Sequence, residues 1–291
     1  MLANPKEILK DAEKNKYAIA GINATSLEAI MAVIEAAEEL DAPVMLSHAQ
    51  LHEPFAPIDV FGPLFVHFAM RAKVPVIIHL DHGLTMEYVM KAVRNGFTSI
   101  MYDCAHLPFE ENVHNVVEFT KTAHNLGIIV EAEVGRMPSN VVGHGGCTEY
   151  GVAIENIRDY FTKPKEAAEF VKRTGVDMLT VSFGTVHGLF VEKPNLDIAL
   201  LKKIKEVTDS ALVMHGSTGV DDAQILDAIS NGLSKINYYT GMGTAPVPSI
   251  AKSIEKAEIP LYFHDIAHEA KEIMKEKAKE RILLFQNRQG R

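Results

Sequence analysis

Along this chain, short runs rich in β-branched residues alternate with longer stretches whose apolar positions repeat at helical spacing. Eight of the short runs read as strands, at 17–24, 42–47, 74–81, 97–104, 128–134, 176–183, 211–215 and 233–238. Between them lie amphipathic helical patterns. In 28–40, for instance, Ile30, Val33, Ile34 and Ala37 share one stripe. Thr25-Ser26-Leu27-Glu28 has the spacing of a capping box opening that helix. Gly96, Gly127, Gly175 and Gly232 each stand between a helical run and the next strand, where a helix ends in a left-handed residue. The same join used repeatedly means one repeated unit. Eight βα units in an undivided chain predict an α/β protein, a (β/α)₈ TIM barrel, as a single domain over 1–291 with a C-terminal helical extension at about 265–287. A doubly wound nucleotide-binding sheet is the alternative, but the G-x-G-x-x-G it carries after its first strand is absent. The stretch 135–161 breaks the rhythm with Gly143-His144-Gly145-Gly146 and no long helical pattern, which predicts an active-site loop. The tail, containing Lys275-Glu276-Lys277-Ala278-Lys279-Glu280-Arg281, reads as a solvated outer helix.

Composition narrows the function classes. The 291 residues suffice for a large core. With 29 Lys and Arg against 38 Asp and Glu, the net charge of −9 argues against nucleic acid or an anionic membrane as partner. No apolar run approaches the roughly 18 residues of a membrane span. Charge appears at Lys6 and Glu7 before any signal-like apolar block, and two cysteines, Cys104 and Cys147, make no disulfide framework. A cytoplasmic location is therefore expected.

In a barrel of this kind, chemistry sits where the C-terminal strand ends converge. Those ends carry Asn23, Ser47 or His48, Asp81 with His82, Asp103, Glu133, His187, His215 and Asn237. Three histidines and a glutamate meeting there point to a metal held by His82, Glu133, His187 and His215. Imidazole plus carboxylate with an open position suits catalytic zinc, and the carboxylate also admits manganese or iron. His79 shares the strand face of Asp81 and not that of His82, so it reads as a core or supporting residue. His52, His67, His106, His114, His124, His264 and His268 fall in loops or helices and read as packing or surface histidines. The glycine-containing exits 215–219 and 237–241 fit an anionic group bound by backbone N–H groups.

Asp81-His82-Gly83, the stretch 106–112, Val130-Glu131-Ala132-Glu133-Val134-Gly135, Gly184-Thr185-Val186-His187-Gly188, His215-Gly216 and Lys235-Ile236-Asn237 occur in the order seen in a known family. Together, over nearly the whole chain, they resemble the class II, metal-dependent ketose-bisphosphate aldolases, which include fructose- and tagatose-1,6-bisphosphate aldolases. The resemblance implies the barrel, a Zn²⁺ cofactor or another divalent metal, a homodimer or homotetramer, and reversible aldol cleavage of a small-molecule ketose phosphate. By position it makes His82, His187 and His215 the zinc ligands, with Glu133 a further or alternative one, and Asp103 an acidic residue near the metal. Asp81 becomes the acid/base at the aldehyde oxygen, Asn23 a substrate-side residue, and Gly188, Gly216, Asn237 and Thr240 the phosphate site. Zinc would act as the Lewis acid for the enediolate left when the C3–C4 bond breaks.

Departures from the family pattern reshape the expected substrate. Met137-Pro138-Ser139-Asn140-Val141-Val142 lacks the family's loop carboxylate, which leaves Glu149, or alternatively His144, as the second acid/base. The family's phosphate-pairing lysine is Val191, with Lys193 two residues on; Thr218 keeps a hydroxyl donor; Tyr239 replaces Gly or Asp; and a serine after the second strand is Ala49. These losses predict a substrate other than fructose 1,6-bisphosphate, carrying one phosphate or another polar terminus. A non-catalytic, accessory relative that keeps the metal site is the competing expectation. A zinc hydrolase ranks last, because Gly21-Ile22-Asn23 lacks the His-x-His expected at the first strand end.

Overall fold

The computed structural model describes residues 1–137, 157–188 and 193–287. Eight parallel strands close into a barrel in sequence order, the last pairing with the first. They are β1 (Ile19–Asn23), β2 (Val44–Ala49), β3 (Val76–Gly83), β4 (Ser99–Tyr102), β5 (Ile129–Val134), β6 (Met178–Val181), β7 (Ala211–Met214) and β8 (Leu233–Tyr238). The helices are α1 (Pro5–Asn15), α2 (Leu27–Glu39), α3 (Ile58–Arg71), α4 (Met86–Arg94), α5 (Phe109–Asn125), α6 (Pro164–Thr174), α7 (Ile198–Val207), α8 (Asp222–Ser230), α9 (Thr240–Thr244), α10 (Pro246–Lys256) and α11 (Phe263–Phe285). This is the (β/α)₈ TIM barrel that the alternating pattern predicts.

The two parities of each strand have different neighbours. Ile19, Met45, Ile77, Ile129, Met178, Ala211 and Val213 meet inside the barrel with Leu9 and Ala12, so α1 plugs its N-terminal end. Ile22, Leu46, Ile78, Val130, Leu179 and Leu212 point outward into the larger core shared with the helices. A parallel strand buried on both faces needs apolar residues at successive positions, which explains the unbroken β-branched runs.

Three details depart from the sequence expectation. The cap of α2 is Ser26, one residue after Thr25: its hydroxyl accepts from the Ala29 amide at 3.1 Å, so Thr25 and Glu28 do not form the box. The β2 and β3 exits run two residues further than predicted. The charged tail is also less solvated than its composition suggests. Met274, Ala278, Ile282, Leu284 and Phe285 of α11 are buried, and the Phe285 carbonyl accepts from the Ala18 amide at 2.8 Å. The charges flank that stripe, where Lys271, Lys275 and Lys279 pair with Glu35 and Glu39 of α2 at 2.8–3.3 Å. Such solvent-facing pairs are each worth roughly 1 kcal/mol or less, so apolar contact holds α11 in place. Among the described residues, no helix is long and apolar enough to cross a membrane.

Candidate active site

In a regular strand, Asp81 and His82 would point to opposite faces. The pairing of β3 with β4 shifts register between Leu80 and Gly83, and His82 adopts φ 47°. This local kink turns both side chains into the barrel mouth. A left-handed non-glycine residue costs about 1–2 kcal/mol, and such strain concentrates at functional positions.

Asp81 is held on both sides. Its Oδ2 accepts from Asn23 Nδ2 at 2.7 Å and its Oδ1 from Asn237 Nδ2 at 2.9 Å. The Oδ1 atoms of both asparagines are buried without a hydrogen-bond partner among the described residues. That of Asn237 lies against β1, 2.7 Å from where a Cβ on Gly21 would sit.

Beside Asp81, His82 Nε2 lies 2.9 Å from His215 Nδ1, which lies 3.5 Å from His187 Nε2. Tetrahedral bonds of about 2 Å put ligand nitrogens roughly 3.3 Å apart, so these three buried rings suit one small cation. Carboxylates stand behind two of them: Asp103 Oδ2 is 2.6 Å from His82 Nδ1, and Glu131 Oε1 is 3.0 Å from His215 Nε2. Carboxylates in that place orient metal-binding imidazoles. Glu133 is not in this trio. It gathers with Asp103 on His82 as a second, adjacent set, and its Oε1 accepts from the Met137 amide at 2.8 Å.

Neighbouring charge sets the protonation of the group. Burial opposes an ionised Asp81, but His82 and His215 outweigh it and hold the carboxyl below the usual range. Burial likewise opposes a charged His82, yet Asp81 and the Asp103 hydrogen bond push its pKa up to about 10. Burial moves His187 and His215 the other way, toward the neutral ring. Burial and nearby Asp103 push Glu133 up to about 8.

In the metal-free protein His82 therefore carries a proton at neutral pH, which a cation bound through this ring would have to displace. Affinity for a divalent cation bound through this ring is expected to rise by about tenfold per pH unit near neutrality and to level off above pH about 10. Calorimetry in buffers of different ionisation heat should find at least one proton released per cation near pH 8, from His82 and in part from Glu133. Stability of the metal-free form has the opposite sign. The raised pKa of His82 stabilises fully below pH about 6.5, and this contribution is lost as pH climbs through about 10.

His187 does not stand at a strand end as expected. β6 stops at Val181, and the ring arrives on the segment that follows. That segment lies against the exit of β7, where a Cβ on Gly216 would fall 2.1 Å from the Val186 carbonyl oxygen. Gly216, at φ 68°, is thus required for the close approach that brings His187 to His215.

One cleft collects most of the predicted residues: Asn23, Asp81, His82, His187, Gly188, His215, Gly216, Thr218, Asn237 and Thr240 all line it. Thr218 Oγ1 accepts from the Gly241 amide at 3.2 Å and ties the two glycine-containing exits together. Glu149, His144, Cys147 and Val191 lie outside the described residues. Lys193 does not replace the missing phosphate lysine here: it pairs with Asp221 at 3.4 Å on the surface and is not among the cleft residues.

Tyr239, expected on the phosphate side, lines the cleft together with Leu51 and with His52, which reads in the sequence as a packing or surface histidine; His52 is buried and its ring is 4.5 Å from that of Tyr239. Nothing local marks His52, because its burial depends on the distant β8 exit. Glu131 and Lys235, both completely buried below the cleft, carried a readable signal: each is a charged residue inside an apolar strand, two positions before a mouth residue.

The chain matches the family described as class II fructose-bisphosphate aldolase over residues 3–290. The Escherichia coli protein YdjI is 35% identical over 285 residues, covering 98% of each chain. A fructose-bisphosphate aldolase of Geobacillus stearothermophilus is 39% identical over 247 residues, covering 82% of this chain and 81% of that one. A crystal structure of the Escherichia coli YdjI aldolase superimposes with a TM-score of 0.85 at 35% identity, covering 98% of this chain and 97% of that one. With eight strands closing one barrel around this mouth, the chain belongs to the class II fructose-bisphosphate aldolase family.

Proposed function

We propose that this aldolase uses zinc held by His82, His187 and His215 to cleave, reversibly, a ketose that carries a single phosphate. The observation behind the reading is the convergence of three ring nitrogens beside Asp81, in a cleft whose described lining contains no Lys or Arg. A bound divalent ion would supply a Lewis acid for the oxygens next to the bond that breaks. Glu133, in the adjacent set with Asp103 and His82, is the alternative ligand.

The protein's own part is proton transfer and orientation. Asp81 takes the C4 hydroxyl proton as the C3–C4 bond breaks and returns it during addition. Donation from Asn23 and Asn237 fixes its carboxylate, while His82 and His215 keep it ionised. Backbone N–H groups of Gly188, Gly216 and Thr240, with the Thr218 hydroxyl, are assigned to the one phosphate, and Glu149 to the proton exchange at C3. A second phosphate would need a charged partner to repay its dehydration, and Ala49, Leu51, His52 and Tyr239 are poor ones.

A panel of ketose 1-phosphates and fructose 1,6-bisphosphate tests this. At least one monophosphate is expected to show a kcat/KM about tenfold or more above that of the bisphosphate, equivalent to about 1.4 kcal/mol of transition-state discrimination. Efficient bisphosphate cleavage would contradict the single-phosphate assignment. Metal bound without C–C cleavage across the panel would instead favour an accessory role.

We also assign the protein to the cytoplasm and to a homodimer or homotetramer. Val247, Ile254, Ile259, Leu261, Tyr262 and Phe263 form an exposed apolar stretch, Phe263 being 82% exposed. Apolar surface of that kind marks association. Light scattering should report an oligomer that the double change Ile259→Asp, Phe263→Asp weakens; a wild-type monomer at micromolar concentration would refute the assignment.

A further inference from the structure

We propose that Glu131, clamped by Lys235, selects the tautomer of His215 that leaves Nδ1 free to bind the cation, making both of them positioning residues of the site. The inference rests on the reading of His215 as a metal ligand given above.

The residues form one layer of the barrel interior, between the apolar plug and the mouth. Ser99 Oγ is 2.8 Å from His79 Nδ1, and His79 Nε2 accepts from Lys235 Nζ at 3.1 Å. Lys235 Nζ also donates to Glu131 Oε2 at 2.5 Å. The other oxygen of Glu131 accepts from Thr180 Oγ1 at 2.7 Å and faces His215 Nε2 at 3.0 Å. Glu131, Lys235 and His79 are fully buried. The neighbouring strand β1 makes room for Lys235: a Cβ on Gly21 would sit 3.1 Å from Lys235 Cε.

An ion pair taken wholly out of water rarely adds stability over apolar residues of the same size, so its presence calls for another explanation. Competition at His215 Nε2 provides one. Asn237 Nδ2, an N–H donor, lies 3.1 Å from the same nitrogen that Glu131 approaches as an acceptor. Donation from Asn237 would favour a bare Nε2 and place the ring proton on Nδ1, the atom aimed at His82 and His187. Acceptance by Glu131 favours the proton on Nε2 and bares Nδ1. A carboxylate acceptor makes a stronger bond than a neutral amide donor, so Glu131 prevails. Lys235, bonded to the other carboxylate oxygen, holds Glu131 against His215 Nε2. Asn237 cannot turn over to relieve the conflict without pointing its oxygen at Asp81 Oδ1, now 2.9 Å from its nitrogen.

The test begins with metal-free wild-type protein carrying ¹⁵N-labelled histidine, with the His215 signals assigned by their loss in His215→Gln. Long-range proton–nitrogen spectra are expected to show His215 protonated at Nε2; protonation at Nδ1 overturns the proposal, whether or not any variant folds. Glu131→Gln should shift the proton toward Nδ1 and weaken zinc binding, measured by chelator competition, by about 10–100-fold. Zinc affinity within twofold of wild type in a folded Glu131→Gln protein also overturns it. Lys235→Met should lower zinc affinity too, and the double variant should be no weaker than Glu131→Gln alone, because Lys235 acts through Glu131. Additive losses would mean that Lys235 has a separate structural role. Wild-type protein that binds no zinc would contradict the metal reading instead, and the tautomer of the metal-free ring would still decide this inference.

Discussion

Asp81→Asn should lower kcat for aldol cleavage by about 10²- to 10⁴-fold while leaving the zinc content of the purified protein unchanged. The change preserves the side chain's shape and removes its ability to take a proton. One consequence is specific to this site. Both Asp81 oxygens accept from asparagine amides, so the new amide nitrogen would face a donor, Asn23 or Asn237. Either asparagine can offer its unpartnered Oδ1 after a half-turn, which holds the stability cost to about 1–2 kcal/mol. The loss of the anion also removes the strongest attraction that raises the pKa of His82. Zinc binding at pH 8 should accordingly release fewer protons in this variant than in wild type. Steady-state assays with metal analysis decide the matter. Activity within tenfold of wild type would exclude Asp81 as the acid/base.

The second large effect is expected from His187→Ala. Zinc affinity and activity should both fall by more than the roughly 100-fold that loss of an outer-sphere partner costs. The barrel should survive. His187 sits beyond the end of β6, its Nδ1 makes no hydrogen bond among the described residues, and His215 Nδ1, 3.5 Å from its Nε2, keeps His82 Nε2 at 2.9 Å, so truncation strands no buried partner. The midpoint of metal-free thermal unfolding should move by only a few degrees, corresponding to about 1 kcal/mol or less in a domain of this size. His215→Ala is a poorer test, because it would leave Glu131 without one of its two donors on Oε1 in the barrel interior. Circular dichroism and chelator competition separate the outcomes. Global unfolding, or zinc retained at wild-type affinity, would remove His187 from the ligand set.

Much of this protein can be read along one dimension. β-branched runs recur beside glycines that terminate helices, and Gly96, Gly127, Gly175 and Gly232 all adopt the positive φ their positions require. Asn23, Asp81, Glu133 and Asn237 are found at strand ends because strand parity and length are local properties. The tail shows the limit of the same method. Lys and Glu dominate its composition and obscure the stripe from Met274 to Phe285, and α2, which covers that stripe, lies more than two hundred residues away.

The sequence by itself determined the barrel, the end at which chemistry occurs and the residue types available there, since periodicity and helix punctuation are short-range. Only the tertiary structure decided how those residues meet. The register shift that turns His82 beside Asp81 depends on β4. The approach of His187 depends on Gly216, and the burial of His52 on Tyr239. Glu131 meets His215 and Lys235 across the barrel interior. Each contact joins residues far apart in the chain, and no local spacing encodes the closure of a barrel that brings them within hydrogen-bonding range.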